Sequence, residues 1–265
     1  MNPCRRTLLA ALSAVLLGAC ASTPVGPTAQ QKSVLAPTGK LRVGVYPGSP
    51  SSMLKDPATG ETRGLAYELG QELARRLGVP FEPVVYPRVA EVLEGIKSGA
   101  VDITITNATA VRARDMDFSQ HLLDVELGYL VPPGSPVASR ADLDKPGVRV
   151  GVSQGGTSQS VLSREFKAAT VVPAPSVGAA LEMLRARTID VFATNKAALY
   201  QMGDQLPGAR VLPDRWGTEH FALAIPKGRE AGLEFVKAYA KDVTDKRFLA
   251  RAVERAGLRG AVAAQ

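Results

Sequence analysis

Two short segments of this sequence end a buried, strand-like run in a polar Thr-Asn pair. Residues 101–107 read Val-Asp-Ile-Thr-Ile-Thr-Asn, and residues 189–195 read Ile-Asp-Val-Phe-Ala-Thr-Asn. Hydroxyl and amide groups at a strand end can bind a small polar ligand, although Asn and Thr suit a plain turn equally well. Each segment closes a unit that opens with a similar strand, at 41–45 and at 148–152. The repetition predicts one cleft built from two similar halves.

Strands and helices alternate in both halves. The first half is predicted to contain strands at 41–45, 81–86 and 101–105, with helices over 65–77 and 89–96. The second half repeats this order, with strands at 148–152, 170–173 and 189–193, a helix capped by Thr157 or Ser158, and a helix over 177–184. Such alternation predicts parallel sheets whose carboxyl ends meet at the ligand-binding edge. Two crossings of the chain between the halves, at 124–135 and 216–226, predict a hinge.

The first residues have the features of an export signal. Two arginines precede an apolar run at residues 8–19, which is too short to span a bilayer comfortably. Residues 17–20, Leu-Gly-Ala-Cys, resemble the bacterial lipobox, in which the cysteine is lipidated and becomes the mature N-terminus. We therefore predict a signal peptide over residues 1–19 and a lipid anchor on Cys20. The alternative is an ordinary signal peptide that happens to contain a cysteine.

The rest of the chain is predicted to be a tether followed by a two-lobed domain. Residues 20–39 are rich in Pro, Ser, Thr and Gln without periodicity, which is typical of a flexible tether. We assign 40–125 to the first segment of lobe 1 and 126–220 to lobe 2. Residues 221–265 are predicted to return to lobe 1 and to end in helices.

The charge pattern argues against nucleic acid as a partner. The net charge of +7 falls to +5 once Arg5 and Arg6 leave with the signal peptide, the charges are scattered, and only 5% of residues are aromatic. Nucleic-acid binding would favour a basic stripe with stacking aromatics. The two histidines, His121 and His220, are far apart in the sequence. We therefore expect no metal and no cofactor.

Six motifs carry a resemblance to a known family. They are Leu41-Arg42-Val43-Gly44-Val45, Ser98-Gly99-Ala100-Val101-Asp102, Arg112 followed by Asp117-Phe118-Ser119, the run from Val150 to Ser158, Ile189-Asp190, and the run from Glu219 to Gly228. In order and spacing they resemble the family 3 extracytoplasmic solute-binding proteins, which serve ABC importers of polar amino acids. The resemblance implies a type II periplasmic-binding-protein-like fold, in which two α/β lobes with parallel sheets are joined by a two-strand hinge.

The resemblance also implies the residues of the site. Arg112 occupies the position of an arginine that clamps the ligand carboxylate, a task that suits the guanidinium fork. Thr157 and Ser158 would hold the other side of that carboxylate at a helix start. The loop that carries Thr106, Asn107 and Thr109 would contact the α-amino and carboxylate groups.

Two positions depart from the family pattern. Asn195 stands where amino-acid binders carry an Asp that pairs with the ligand ammonium, and Tyr46 replaces a polar or acidic residue after the first strand. The ligand is therefore expected to be a carboxylate-bearing solute, with an amino acid or derivative as the leading class. From the internal symmetry we also expect Asn107 and Asn195 to face each other across the cleft and to contact the ligand.

The predicted function is ligand capture for an ABC permease by a monomer in the periplasm or cell envelope. A lipid-anchored sensor without transport is the first alternative. An enzyme is the second, since cyclohexadienyl dehydratases resemble this family. Their catalytic Glu, however, would fall at Ala198, and no nucleophile motif is present. We therefore predict a binding protein and no catalytic residue.

Overall fold

A computed structural model describes residues 26–263, and within them the chain forms two α/β lobes. The first part contains α1 Ala29–Leu35, β1 Leu41–Val45, β2 Leu54–Lys55, β3 Thr62–Arg63, α2 Leu65–Leu77, β4 Phe81–Val85, α3 Val89–Ser98, β5 Thr104–Asn107 and β6 Met116–Phe118. The second part contains β7 Leu123–Val131, β8 Arg149–Ser153, α4 Thr157–Glu165, β9 Thr170–Ala174, α5 Val177–Arg185, β10 Val191–Asn195, α6 Lys196–Gly203 and β11 Arg210–Val211. The chain closes with β12 Gly217–Pro226, α7 Glu230–Asp245, α8 Phe248–Ala256 and β13 Ala261–Ala263. Short 3₁₀ helices lie at Arg112–Arg114 and Arg140–Asp142.

Lobe 1 comprises β1–β6, α1–α3, α7, α8 and β13, and its sheet is covered on both faces. Strands β1 and β4 pair in parallel, and a parallel bridge from Val43 to Ile103 joins β1 to the chain just before β5. Helix α2 packs closely on one face, where a Cβ added at Gly70 would lie 2.7 Å from the Val43 side chain. On the other face, a Cβ at Gly44 would lie 3.0 Å from Val92 of α3. The helical periodicity of α2 and α3 therefore reflects burial against a central sheet.

Lobe 2 comprises β8–β11 and α4–α6. Its strands lie in the order β9-β8-β10, all parallel, followed by the antiparallel β7. Two apolar clusters, one containing Leu162 of α4 and the other containing Leu181 and Leu184 of α5, cover its two faces. The predicted parallel cores of both lobes are thus present, and each is extended by antiparallel strands.

Strands β7 and β12 cross between the lobes. They pair with each other from Gly217–Leu127 to Phe221–Leu123, while the far end of β7 pairs with β10 and the far end of β12 pairs with β5. This confirms the predicted two-strand hinge. The crossing at 124–135 is therefore a β-strand over most of its length, and this strand was not predicted from the sequence.

Two other differences concern helices. Residues 29–35 lie within the predicted tether but form α1, which begins with a capping box between Thr28 and Gln31. Leu35 is fully buried against α7, where Gly232 leaves room for it. Helix α6 was not predicted because it follows β10 without a turn. The signal peptide and Cys20 lie outside the described residues.

The repeated Asp of the two motifs has a structural role in both lobes. Asp102 accepts hydrogen bonds from the Arg42 backbone N–H at 2.9 Å and from its guanidinium at 3.0 and 2.7 Å. Asp190 accepts the same three bonds from Arg149, at 2.8, 3.0 and 2.7 Å. The Arg149 bond lowers the pKa of Asp190. Each Arg-Asp pair therefore ties the first strand of a lobe to the chain before its third strand.

The environments of these two carboxylates predict different stability effects. The Asp102 side chain is fully buried and also binds Arg229 at 2.7 Å, whereas the Asp190 side chain is 35% exposed. Because removing one partner of a buried ion pair leaves the other charge uncompensated, Asp102→Asn should lower the free energy of unfolding by about 3 kcal/mol. Asp190→Asn should cost about 1 kcal/mol or less. Urea unfolding of both variants tests this, and equal losses would contradict the assignment.

Candidate functional site

The carboxyl ends of the strands from both lobes surround one small cavity. Its volume is about 30 Å³, which is room for water but far less than an amino-acid-sized ligand needs. The lobes must therefore separate to admit a solute. The lining residues are Tyr46, Ser51, Val89, Ile105, Thr106, Arg112, Ser153, Gly156, Thr157, Thr194, Asn195, Glu219 and Phe221.

Arg112 lies at the seam between the lobes. Its guanidinium donates to Thr106 Oγ1 at 2.7 Å and to the Asn107 carbonyl at 3.3 Å in lobe 1, and to the Gly155 carbonyl at 3.3 Å in lobe 2. Burial lowers the pKa of this guanidinium, while Glu219 and Tyr46 act in the opposite direction. No carboxylate in the described chain lies within 4.0 Å of it, in contrast to Arg42 and Arg149. The Arg112 fork is thus bonded only to neutral groups.

The end of β5, which includes Thr106 and Asn107, and the loop after it contact this arginine. Thr106 lines the cavity, and Asn107 is buried with both ends of its amide bonded: Oδ1 accepts from the His220 N–H at 2.8 Å and Nδ2 donates to Thr157 Oγ1 at 3.0 Å. Thr109 accepts from the Arg112 N–H at 3.2 Å and lies in an outer groove of about 300 Å³ rather than in the cavity. Of these three residues, only Thr106 lines the cavity, whereas the Asn107 side chain is bonded to Thr157 of lobe 2.

The start of α4 differs from the sequence prediction. Its N-cap is Gly156, and neither Thr157 nor Ser158 caps the helix. Ser158 is buried and does not line the cavity, whereas Thr157 does. In the described part of the chain, no acceptor binds the N–H groups of Thr157 and Ser158. Unsatisfied N–H groups at a helix start favour an anion.

Glu219 is the acidic residue of the cavity, and no role was predicted for it from the sequence. It lies on β12 and is 7% exposed. One carboxylate oxygen accepts from Thr157 Oγ1 at 2.6 Å, and the other accepts from Asn195 Nδ2 at 3.1 Å. The only signal in the sequence is an acid two residues before the apolar run 221–225 that returns to lobe 1.

Asn195 has two contacts, and neither is with Asn107. Its Oδ1 caps α6 by accepting from the Ala198 N–H at 3.0 Å, and its Nδ2 binds Glu219. The expected face-to-face pair of Asn107 and Asn195 is therefore replaced by a chain of hydrogen bonds that runs from Asn107 through Thr157 and Glu219 to Asn195. Ligand contact by either amide stays a prediction.

Tyr46 and Lys196 complete the surroundings. Tyr46 lines the cavity, and burial raises the pKa of its phenol, so that the ring presents a neutral hydroxyl. Lys196 is buried and binds Glu126 Oε2 at 2.8 Å and the Pro213 carbonyl at 3.0 Å. The hydrogen bond from Lys196 lowers the pKa of Glu126. Lys196 therefore neutralises an acid of the hinge strand β7 and adds no charge to the cavity.

Comparison with known proteins identifies the family. Residues 41–256 match the profile of the bacterial extracellular solute-binding proteins, family 3. This chain belongs to that family. A curated relative, the glutamine-binding protein of an ABC transporter of Bacillus subtilis strain 168, is 23% identical over 244 residues, which cover 88% of this chain and 89% of the relative.

Solved structures show the same bilobal fold. The solute receptor for L-cysteine of Neisseria gonorrhoeae superposes with a TM-score of 0.76 at 23% identity, over 85% of this chain and 92% of the receptor. An ancestral amino acid-binding protein, a precursor of cyclohexadienyl dehydratase, gives a TM-score of 0.74 at 23% identity, over 84% of this chain and 98% of that protein. Both likenesses establish the fold. The dehydratase acid would fall at Ala198, whose buried methyl group cannot transfer a proton.

The family places this solute-binding protein outside the cytoplasm, in the periplasm or cell envelope. Among residues 26–263, no helix has both the length and the apolar character needed to cross a bilayer.

The two histidines of this solute-binding protein are far apart in the sequence but adjacent in the structure. The rings of His121 and His220 stack with centroids 5.1 Å apart and planes 14° apart, and His220 Nδ1 lies 2.7 Å from Asp124 Oδ1. One ligand atom from each of the three residues lies within 4.8 Å of the others. The expectation of no metal stays a prediction.

Glycines allow the two lobes to close against each other. A Cβ added at Gly155 of lobe 2 would lie 2.6 Å from Ala90 of lobe 1, and one at Gly48 of lobe 1 would lie 2.9 Å from Val177 of lobe 2. Arg88 also donates across the gap to the Pro175 carbonyl at 3.4 Å. Full closure thus requires the absence of a side chain at Gly155.

We expect Gly155→Ala to reduce the closed population. Gly155 has φ +75°, and Gly147 of the same lobe has φ +86° with nothing within 4 Å of an added Cβ, so Gly147→Ala is a control with the same backbone strain and no clash. Single-molecule fluorescence energy transfer between dyes at Lys97→Cys and Arg164→Cys, on opposite sides of the outer groove, measures closure. Equal closed fractions in the two glycine variants would refute the steric argument.

Proposed function

We propose that this protein captures a small carboxylate-bearing solute of the amino-acid class and delivers it to an ABC permease. The observation that carries the proposal is Arg112, whose guanidinium contacts both lobes and has no carboxylate partner within the described chain. A guanidinium fork matches a carboxylate in two parallel bonds. The glutamine-binding and L-cysteine-binding proteins among its relatives support the amino-acid class.

Closure couples binding to delivery. A solute carboxylate placed between Arg112 and the start of α4 would bind the guanidinium of lobe 1 and the N–H groups of Thr157 and Ser158 in lobe 2. Because the two sets of donors belong to different lobes, the same anion binds best when the cleft is closed. A closed monomer then presents a distinct surface to the permease, and the hinge strands β7 and β12 permit this motion.

Arg112→Ala should weaken carboxylate binding by about 100-fold or more, since it removes a charge-assisted, bidentate contact. The measurement is the melting temperature against a panel of amino acids, keto acids, dicarboxylates and polyamines. A ligand at 100 times its dissociation constant adds about 2.7 kcal/mol of stability, or a shift of a few degrees. Arg114→Ala is the matched control, because Arg114 is an exposed arginine of the same 3₁₀ helix. Unchanged affinity in Arg112→Ala would refute the proposed site.

The proposal includes a lipid anchor on Cys20, supported by the apolar run at 8–19 and the Leu-Gly-Ala-Cys sequence. Expressed in a bacterial host, Cys20→Ser should move the protein from the membrane to the soluble fraction. Cys4→Ser should leave it at the membrane, since Cys4 lies in the predicted signal peptide. Membrane attachment of the Cys20→Ser protein, detected after fractionation, would refute the anchor.

A further inference from the structure

The cavity contains an acid that forms no direct ion pair within the described chain. Glu219 is 7% exposed, and each carboxylate oxygen accepts one hydrogen bond from a neutral group, Thr157 or Asn195. No lysine, arginine or histidine nitrogen of the described residues lies within 4.0 Å of it. A buried carboxylate is costly unless it is paired with a cation. Arg112 of the same cavity attracts Glu219 without direct contact, so the carboxylate can still accept a positive group of a solute.

The remaining acceptor capacity of Glu219 suits an ammonium. A carboxylate offers about four lone-pair positions, and only two are used here. The neighbouring Asn195 cannot take over this task, because its Oδ1 already accepts from the Ala198 N–H and it has no charge. Tyr46, a neutral phenol, lines the same cavity and adds a hydroxyl oxygen as a further acceptor.

Arg112 and Glu219 line the same cavity with opposite charges. A solute with a carboxylate alone would satisfy Arg112 and leave Glu219 unpaired beside a second anion. A solute with an ammonium alone would do the reverse. Only a molecule that carries both charges close together neutralises both groups, and an α-amino acid is the simplest such molecule.

We propose that Glu219 binds the α-ammonium of the solute and thereby makes this cleft selective for zwitterionic amino acids over carboxylates that lack an amine. The negative charge of the site would then lie on hinge strand β12 instead of at the end of β10, where Asn195 lies. The inference rests on the proposed function, since it takes the ligand carboxylate to be bound at Arg112. Thr157 and Asn195 orient the Glu219 carboxylate through their hydrogen bonds.

Matched pairs of compounds test this selectivity. The probes are L-glutamine, L-cysteine and L-arginine, each compared with its counterpart lacking the α-amine: glutaramic acid, 3-mercaptopropionic acid and 5-guanidinopentanoic acid. Affinities are measured by calorimetry and melting temperature on the mature chain freed of carried-over ligand. We expect the native chain to bind at least one amino acid, and to bind it more tightly than its counterpart.

Glu219→Gln keeps the size of the side chain and removes its charge. We expect about a 10- to 100-fold loss of affinity for the amino acid, and equal or tighter binding of the counterpart. The double variant N195D/E219Q returns a carboxylate to the cavity at position 195 and should recover part of the preference for the amino acid over its counterpart. Glu219→Asp, which keeps the charge but shortens the side chain, should show an intermediate loss and serves if Glu219→Gln does not fold.

The outcomes separate this inference from the proposed function. If Arg112→Ala abolishes binding while the Glu219 variants keep the native preference, or if the native chain prefers the amine-free compounds, the role of Glu219 is overturned and the carboxylate site stands. If Arg112→Ala binds normally, or no probe binds the native chain, the proposed function fails and the inference fails with it.

Discussion

The antiparallel ladder between β7 and β12 is the connection on which both lobes depend. Its central register, from Gly217–Leu127 to Phe221–Leu123, is continued by β10 on one side and by β5 on the other. A strand shared by two sheets can twist without losing its hydrogen bonds, so it can act as a hinge while remaining part of both cores. Glu219 lies within this ladder, opposite Val125, and it lines the cavity between the lobes.

Charges in this protein divide into those that are paired for stability and those that are not. Asp102 and Asp190 bind arginines with nearly identical geometry in the two lobes, at the ends of the strands farthest from the cleft. Lys196 is paired with Glu126 on the hinge strand. Arg112 and Glu219, in contrast, are bonded to hydroxyl, amide and carbonyl groups alone. Because charges without a direct ion pair are expensive in a partly buried site, their presence in one cavity supports the proposal that a solute binds both.

Much of the fold followed from the sequence because its signals are local. The leucines of α2 mark one buried helix face, and Gly78 and Gly99 end α2 and α3 in the left-handed conformation, with φ of 65° and 72°. Both features depend only on neighbouring residues, and the predicted bounds of these helices agree with the structure. Helix α1 was missed because Leu35 is its only buried residue, which leaves no periodicity to detect. The antiparallel role of β7 was missed because it is defined by partners far along the chain.

The sequence by itself determined the two α/β halves and the polar strand ends, since alternating periodicity encodes these directly, and the resemblance to the family implied the arginine at the cleft. Only the tertiary structure decided which side chains meet. Asn107 and Thr157 are 50 residues apart and Thr157 and Glu219 are 62 apart, yet they form one chain of hydrogen bonds across the lobes. It also decided that His121 stacks on His220 and that Lys196 is buried. Contacts of this kind arise from the pairing of distant strands, for which a local pattern of residues contains no signal.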